Sequence, residues 1–155
     1  MCAERLTSFE PHMRRCLDLA ATASENSDIP VGAVVIDETG TVIGTGFNTR
    51  EDGHDPTGHA EINALREAGA ARGSWRLDGC TLIVTLEPCT MCAGAIVLSR
   101  ITTLVFGAWD PKAGATGSVR DVVRDPRLNH QVEVIGGILE EECSAQLKEY
   151  FRASR

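Results

Sequence analysis

The sequence predicts an α/β sandwich in which helices cover a mixed sheet of five strands. Three observations predict it. β-rich apolar runs alternate with segments whose apolar residues recur every three or four positions. The first two such runs, "VGAVVID" and "VIGTGFN", are joined only by "ETGT", which reads as a hairpin. Later runs are separated by helical segments, and that connection suits parallel neighbours.

The elements follow in order. In "SFEPHMRRCLDLAATAS", Phe9, Met13, Cys16, Leu17 and Ala20 recur at helical spacing, with Ser8 placed to cap the start. After the hairpin, "HAEINALREAGAAR" predicts a helix, "CTLIVTLE" a buried-type strand, "CTMCAGAIVLS" a short helix and "ITTLVFGA" the fourth strand. The strand–helix–strand unit over 80–107 is expected to be parallel and right-handed. "WDPKAGATGSVRDV" reads as a Gly/Pro-rich loop leading into a short helical piece. "HQVEVIG" is the fifth strand. "ILEEECSAQLKEYF" closes the chain as a helix with Leu139, Cys143, Leu147 and Tyr150 on one face.

No internal repeat or linker interrupts the 155 residues, so one domain over 1–155 is expected, long enough to bury a real core. The N-terminal stretch "MCAERLTSFEPHMRRC" contains no uninterrupted apolar run, and no segment approaches the ~20 apolar residues of a membrane span. A cytoplasmic protein without a membrane partner is expected. Six cysteines in such a chain read as reduced thiols, with Cys2, Cys16, Cys80 and Cys143 as small buried hydrophobes. Only Cys89 and Cys92 form a pattern.

A net charge of −7 argues against a nucleic-acid partner, but its distribution weakens that objection. Residues 1–99 hold 7 basic and 14 acidic side chains, whereas residues 100–155 hold 8 of each. A local basic surface from Lys112, Arg120, Arg124, Arg127 and Arg152 is compatible with this balance, as is a solvated mixed face.

Cys89 and Cys92 stand at i and i+3 at a predicted helix start, so both sulfurs point the same way, and the helix N-terminus favours thiolates. Pro88 suits helix entry, because its missing N–H needs no partner there. Cys-x-x-Cys alone also fits a redox pair, but that chemistry has no use for a remote His-x-Glu. "HAE", His59-Ala60-Glu61, lies thirty residues upstream of Cys89 at another helix start. His59, Cys89 and Cys92 supply three zinc ligands and leave one position open, the pattern of a catalytic site. Zinc lowers the pKa of water in that position toward ~7, and Glu61, not spent on the metal, is placed to move its proton to a substrate nitrogen. A closed Cys₂His₂ site using His54 is the competing reading, and it leaves Glu61 without a task.

His-x-Glu with Pro-Cys-x-x-Cys is the known signature of zinc nucleobase deaminases, so this match is recognised, not independently derived. The sequence resembles the tRNA-specific adenosine deaminases (the TadA family) in "IPVGAVVI", "GTGFN", "HDPTGHAEINALR", "TLEPCTMCAGAIVLSRI", "VFGAWDPKAGATGS", "NHQVEVIGGILEEEC" and "YFR". The resemblance implies a three-layer α/β/α sandwich of the cytidine-deaminase-like fold. It also implies hydrolytic conversion of the wobble adenosine to inosine in a tRNA anticodon loop, with one Zn²⁺ per subunit.

By the same resemblance, Asn48, Ala60, Pro88, Asp110, Lys112, Phe151 and Arg152 are expected to contact the substrate, Asn48 at the flipped base. The bland alternatives are a turn residue after a strand for Asn48 and a turn-forming Asp before Pro111 for Asp110. A homodimer is implied, through the helices that follow the third and fourth strands. Gly58 and Trp109 depart from the family pattern, where alanine and a charged residue are expected. Gly58 is expected to loosen the helix start, and Trp109 to stack on a base or to pack.

Two other functions stay open at this point: a zinc deaminase of free guanine or cytosine, which needs no basic surface, and a zinc-stabilised binding module without catalysis. Glu61 speaks against the second.

Overall fold

The structure is a computed structural model, and it describes residues 3–154. Its five strands are β1 (Gly32–Ile36), β2 (Val42–Phe47), β3 (Thr81–Leu86), β4 (Thr103–Ala108) and β5 (Glu133–Gly136). They lie in the order β2-β1-β3-β4-β5. β1 pairs antiparallel with β2 and with β3, while β3–β4 and β4–β5 are parallel. The helices are α1 (Ala3–Ser8), α2 (Glu10–Glu25), α3 (Ala60–Arg72), α4 (Thr90–Leu98) and α5 (Glu140–Ala153).

Strand alternation sends successive side chains to opposite faces, and each face has its own core. Ala33 and Val35 of β1, Leu82 and Val84 of β3, and Leu104 and Phe106 of β4 meet Ala64, Leu65 and Ala68 of α3 and Ala93, Ile96 and Val97 of α4. Val34, Ile83, Val105 and Ile135 meet Met13 and Cys16 of α2 and Cys143 of α5. The result is a three-layer α/β/α sandwich. Burial is worth about 1.5–3 kcal/mol per large apolar side chain, against ~0–1 for an exposed ion pair. The two clusters therefore hold the layers together.

Four expectations need correction. The chain is helical from Ala3, before the region whose periodicity was legible, because α1 has only six residues and buries none of them. Ser8 does not cap α2. It ends α1, its hydroxyl donating to the Arg5 carbonyl, and Phe9 occupies the N-cap of α2. Pro88 is not the first helical residue, since Cys89 is the N-cap of α4 and Pro88 precedes it. Finally, no short helix follows the "DPKAGATGS" loop, where turns surround a single bridge between Thr116 and Asp121. Here the Gly117 N–H goes to the Arg120 carbonyl and the Val122 N–H to the Ala115 carbonyl, so the backbone doubles back on itself and its donors are not available for a helical ladder. Consequently no helix follows β4 before β5, and the expected dimer contact through such a helix has no counterpart. Among the lone cysteines, Cys16, Cys80 and Cys143 are buried, and Cys2 lies outside the described residues.

Candidate active site

The C-terminal ends of β2, β3 and β4 lie on one edge of the sheet, and α3 and α4 both begin there. His59 is the N-cap of α3, Cys89 is the N-cap of α4, and Cys92 sits in the first turn of α4. His59 Nδ1 stands 3.6 Å from Cys89 Sγ and 3.5 Å from Cys92 Sγ. The three donor atoms all lie within 4.8 Å of one another. Zinc bonds of ~2.3 Å to sulfur and ~2.05 Å to nitrogen, set at a tetrahedral angle, place S and N about 3.6 Å apart. The trio fits such an ion, and His54 is not part of it.

The electrostatics are those of a prepared metal site. Without a metal, the two thiols share a proton. The hydrogen bond from Cys92 pulls Cys89 down to about 3, and the same bond pushes Cys92 up. The Cys89 contact raises His59 above its usual value. Glu61, 4% exposed in the first turn of α3, is pushed up to about 7, chiefly by burial and further by the Cys89 thiolate. A carboxyl poised near neutrality can both accept and return a proton.

A pocket of about 270 Å³ opens beside His59 and Cys89 of the trio, with Cys92 buried behind them. Its walls include Ile29, Val31 and Leu86 on the apolar side and Asn48, Arg50, Glu61 and Asp110 on the polar side. The volume falls just below the ~300–1,000 Å³ usual for small-molecule sites, which suits a single base.

Asn48 is 7% exposed and already busy: its Oδ1 accepts the Ala60 N–H at 3.0 Å and its Nδ2 donates to the Ile29 carbonyl at 3.0 Å. One Nδ2 hydrogen is left for a ligand. Ala60 is fully buried and its N–H is spent on Asn48, while buried Pro88 offers its carbonyl to the Ala115 N–H at 2.8 Å. Neither forms the pocket wall. Asp110 does, and its Oδ1 accepts the N–H groups of Lys112 and Ala113 at 3.0 and 3.1 Å.

Lys112 turns instead to a second groove, where it meets Phe151 and Arg152 of α5. The expected basic surface is thinner than the sequence suggested. Arg124 pairs with Asp121, Arg127 with Asp125, and Arg152 with Glu149. Trp109 packs edge-on against Phe106 with ring centroids 4.7 Å apart and keeps 45% of its surface exposed. Gly58 does not loosen the approach to α3. Its carbonyl accepts the Thr49 N–H at 2.8 Å, and a Cβ there would lie 2.7 Å from Thr49 Oγ1, so glycine is what lets the two segments meet.

Sequence reasoning missed Arg50 and Glu87. Arg50 carries no local motif, and only the fold of residues 49–58 brings it to the pocket. Glu87 stands beside Pro88 in the zinc signature but was not singled out.

A three-layer sandwich with a His–Cys–Cys trio at two helix N-termini, and a buried glutamate that ligates nothing, defines a zinc-dependent nucleobase deaminase. The family model for the cytidine and deoxycytidylate deaminase zinc-binding region matches residues 6–108. With relatives at 45 and 50% identity along nearly its whole length, the chain belongs to the tRNA-specific adenosine deaminase family.

The first of these relatives, the tRNA-specific adenosine deaminase of Bacillus subtilis, matches over 150 residues, 97% of this chain and 92% of its own. That of Haemophilus influenzae, the 50% match, aligns over 146 residues, 94% of this chain and 84% of its own. A solved structure from work on A-to-I editing by tRNA:A34 deaminases superposes with a TM-score of 0.83 at 42% identity, covering 87% of this chain and 97% of that one. The guanine deaminase of Nitrosomonas europaea superposes with a TM-score of 0.76 at 30% identity, covering 91% and 83%.

Proposed function

We propose that this chain, as a single domain over 1–155, converts the wobble adenosine of a tRNA anticodon loop to inosine by hydrolysis. The observation that carries the reading is the buried Glu61 beside the His59–Cys89–Cys92 trio in a chain so similar to tRNA-specific adenosine deaminases. His59, Cys89 and Cys92 would hold one zinc ion per chain, and it would supply the Lewis acidity that acidifies water beside the base. Glu61 takes a proton from the attacking water and delivers it to a substrate nitrogen. The water oxygen ends on C6 of the base, Glu61 moves the remaining water proton to the exocyclic amino group, the C6–N bond breaks and ammonia leaves.

Asn48 orients the flipped base with its remaining Nδ2 hydrogen, while Ile29, Val31 and Leu86 keep bulk water from its faces. A loop nucleotide leaves its stack at lower cost than a paired one. Lys112, Phe151 and Arg152 then hold the flanking nucleotides by phosphate contact and stacking. The chain works in the cytoplasm. No helix among the described residues is long and apolar enough to cross a membrane. It acts as a homodimer, joined through the apolar groove between α3 and α4, where Trp75 and Leu98 are 62% and 70% exposed.

The test is incubation of the purified protein with an anticodon stem-loop carrying adenosine at the wobble position, reading inosine. Inosine is expected. Efficient deamination of free guanine with the stem-loop left intact overturns the reading in favour of a free-base enzyme.

A further inference from the structure

The loop that supplies Asp110 and Lys112 holds no helix or strand beyond the single Thr116–Asp121 bridge, yet both the pocket wall and the second groove depend on its shape. One carboxylate gathers four of its donors. Glu87, 2% exposed just past β3, borders the base pocket beside Asp110 and turns its carboxylate into the loop. Its Oε1 accepts the Asp110 N–H at 2.9 Å and the Ser118 hydroxyl. Its Oε2 accepts the Thr116 N–H at 3.2 Å and the Ser118 N–H at 3.0 Å. Both oxygens are thus saturated by four neutral donors from residues 110–118, and hydrogen bonds to a charged group are the stronger kind.

The steric evidence is independent. A Cβ at Gly114 would land on the Glu87 carboxylate, so the loop wraps around this group more closely than any other residue at 114 permits. The next residue, Ala115, donates its N–H to the Pro88 carbonyl at 2.8 Å, continuing the same wrap.

We infer that Glu87 is a positioning residue for substrate: it templates residues 110–118, and through them sets the Asp110 wall of the base pocket and the Lys112 edge of the groove. Glu87 acts on substrate fit, without touching the chemistry at His59, Cys89, Cys92 and Glu61. The inference rests on the functional reading above. A backbone loop tied by turns alone would sample several shapes, and each would pay its ordering entropy on binding RNA. With Glu87 in place that ordering is complete beforehand.

The experiment compares wild type, Glu87→Gln, Gly114→Ala and the double variant, all zinc-loaded, on the anticodon stem-loop. The Gln amide keeps the shape but turns an NH₂ group toward two of the four donors. We expect zinc content at the wild-type level, KM raised about tenfold or more, and kcat changed less than about threefold. Gly114→Ala should give the same split, and the double variant little more than either alone, because both break one contact. Glu87→Asp, which keeps the charge on a shorter arm, should recover part of the loss.

Amide hydrogen exchange gives a readout that needs no substrate: Asp110, Thr116 and Ser118 should lose protection in Glu87→Gln while the amides of β3 and β4 keep theirs. Unchanged KM, an equal loss in kcat, loss of zinc, or additive effects in the double variant each overturn the proposal. A wild-type protein inactive on the stem-loop overturns the functional reading instead, and exchange at the three amides then decides alone whether Glu87 holds the loop.

Discussion

Asn48 at the end of β2 caps a helix that starts twelve residues later, its Oδ1 accepting the Ala60 N–H at 3.0 Å. His59, the N-cap residue of α3, makes no side-chain cap of its own, which leaves its ring free to face the two sulfurs. One asparagine therefore anchors the helix that carries both a metal ligand and the buried carboxylate. Asn48→Ala should lower stability by about 0.5–2 kcal/mol for the lost cap, and it should abolish most activity. Asn48→Asp keeps the accepting oxygen but sets a buried carboxylate against the Ile29 carbonyl, so it too should melt below wild type and turn over slowly. Thermal denaturation beside the inosine assay checks both, and an inactive but fully stable Asn48→Ala would separate base contact from capping.

Zinc should be found at about one per chain. His59→Ala, Cys89→Ser and Cys92→Ser should each lose it, whereas His54→Ala should keep it, because His54 lies outside the donor trio. Elemental analysis of the four variants decides this. Metal loss in His54→Ala points to a closed four-ligand site.

Glu61→Gln should fold, hold zinc and lose about 10²–10⁴-fold in turnover. A neutral amide in that buried position spares the cost of a buried charge, so stability should not fall. Near-normal turnover in this variant defeats the proton-shuttle mechanism.

Acid should loosen the tie between α1 and the sheet edge. Glu133 accepts both Arg5 guanidinium nitrogens at 2.8 and 2.6 Å and the Thr103 hydroxyl at 3.0 Å. The Arg5 pairing, with smaller help from Thr103, pulls its carboxyl down from 4.5 to about 2. A carboxyl depressed by folding contributes its full stability above its unfolded value and loses it as pH falls through its folded one. The contribution is therefore present above pH 4.5 and lost progressively toward pH 2. It is small, since both groups are about two-fifths exposed. Denaturant midpoints measured across that window should fall less steeply for Glu133→Gln than for wild type.

Arg152 should contribute one phosphate contact. Arg152→Ala is expected to weaken stem-loop binding several-fold and to flatten the log–log salt dependence by about 0.7, leaving zinc untouched. Its pairing with Glu149 competes with RNA, so Glu149→Gln should strengthen binding. Fluorescence anisotropy over a salt series measures both variants, and an unchanged slope for Arg152→Ala removes it from the interface.

The Cys89–Cys92 and His59–Glu61 pairs were legible in the chain because each spacing is local, but joining them across thirty residues rested on the family signature, and only the fold brings the three donor atoms within 4.8 Å of one another. The five strands and four of the helices were legible too, since core packing imposes periods of 2 and about 3.6 on the apolar residues. α1 was not, because a six-residue helix with no buried face leaves no period to read. What only the tertiary structure decided are the relationships between residues far apart in sequence. Asn48 is as good a turn residue as a helix cap until β2 sets it beside Ala60. Lys112 and Arg152 share a groove only because α5 returns across the sheet. Three of the arginines expected to build a basic face are instead tied to neighbouring carboxylates. Glu87 is the clearest case. A charged residue at a strand end ordinarily reads as solvated, and its burial becomes tolerable only when a loop more than twenty residues later brings four donors to it. Spacing along the chain encodes contacts within a turn of helix or a pair of strands. Which buried polar group meets which distant backbone is set by the packing of whole layers.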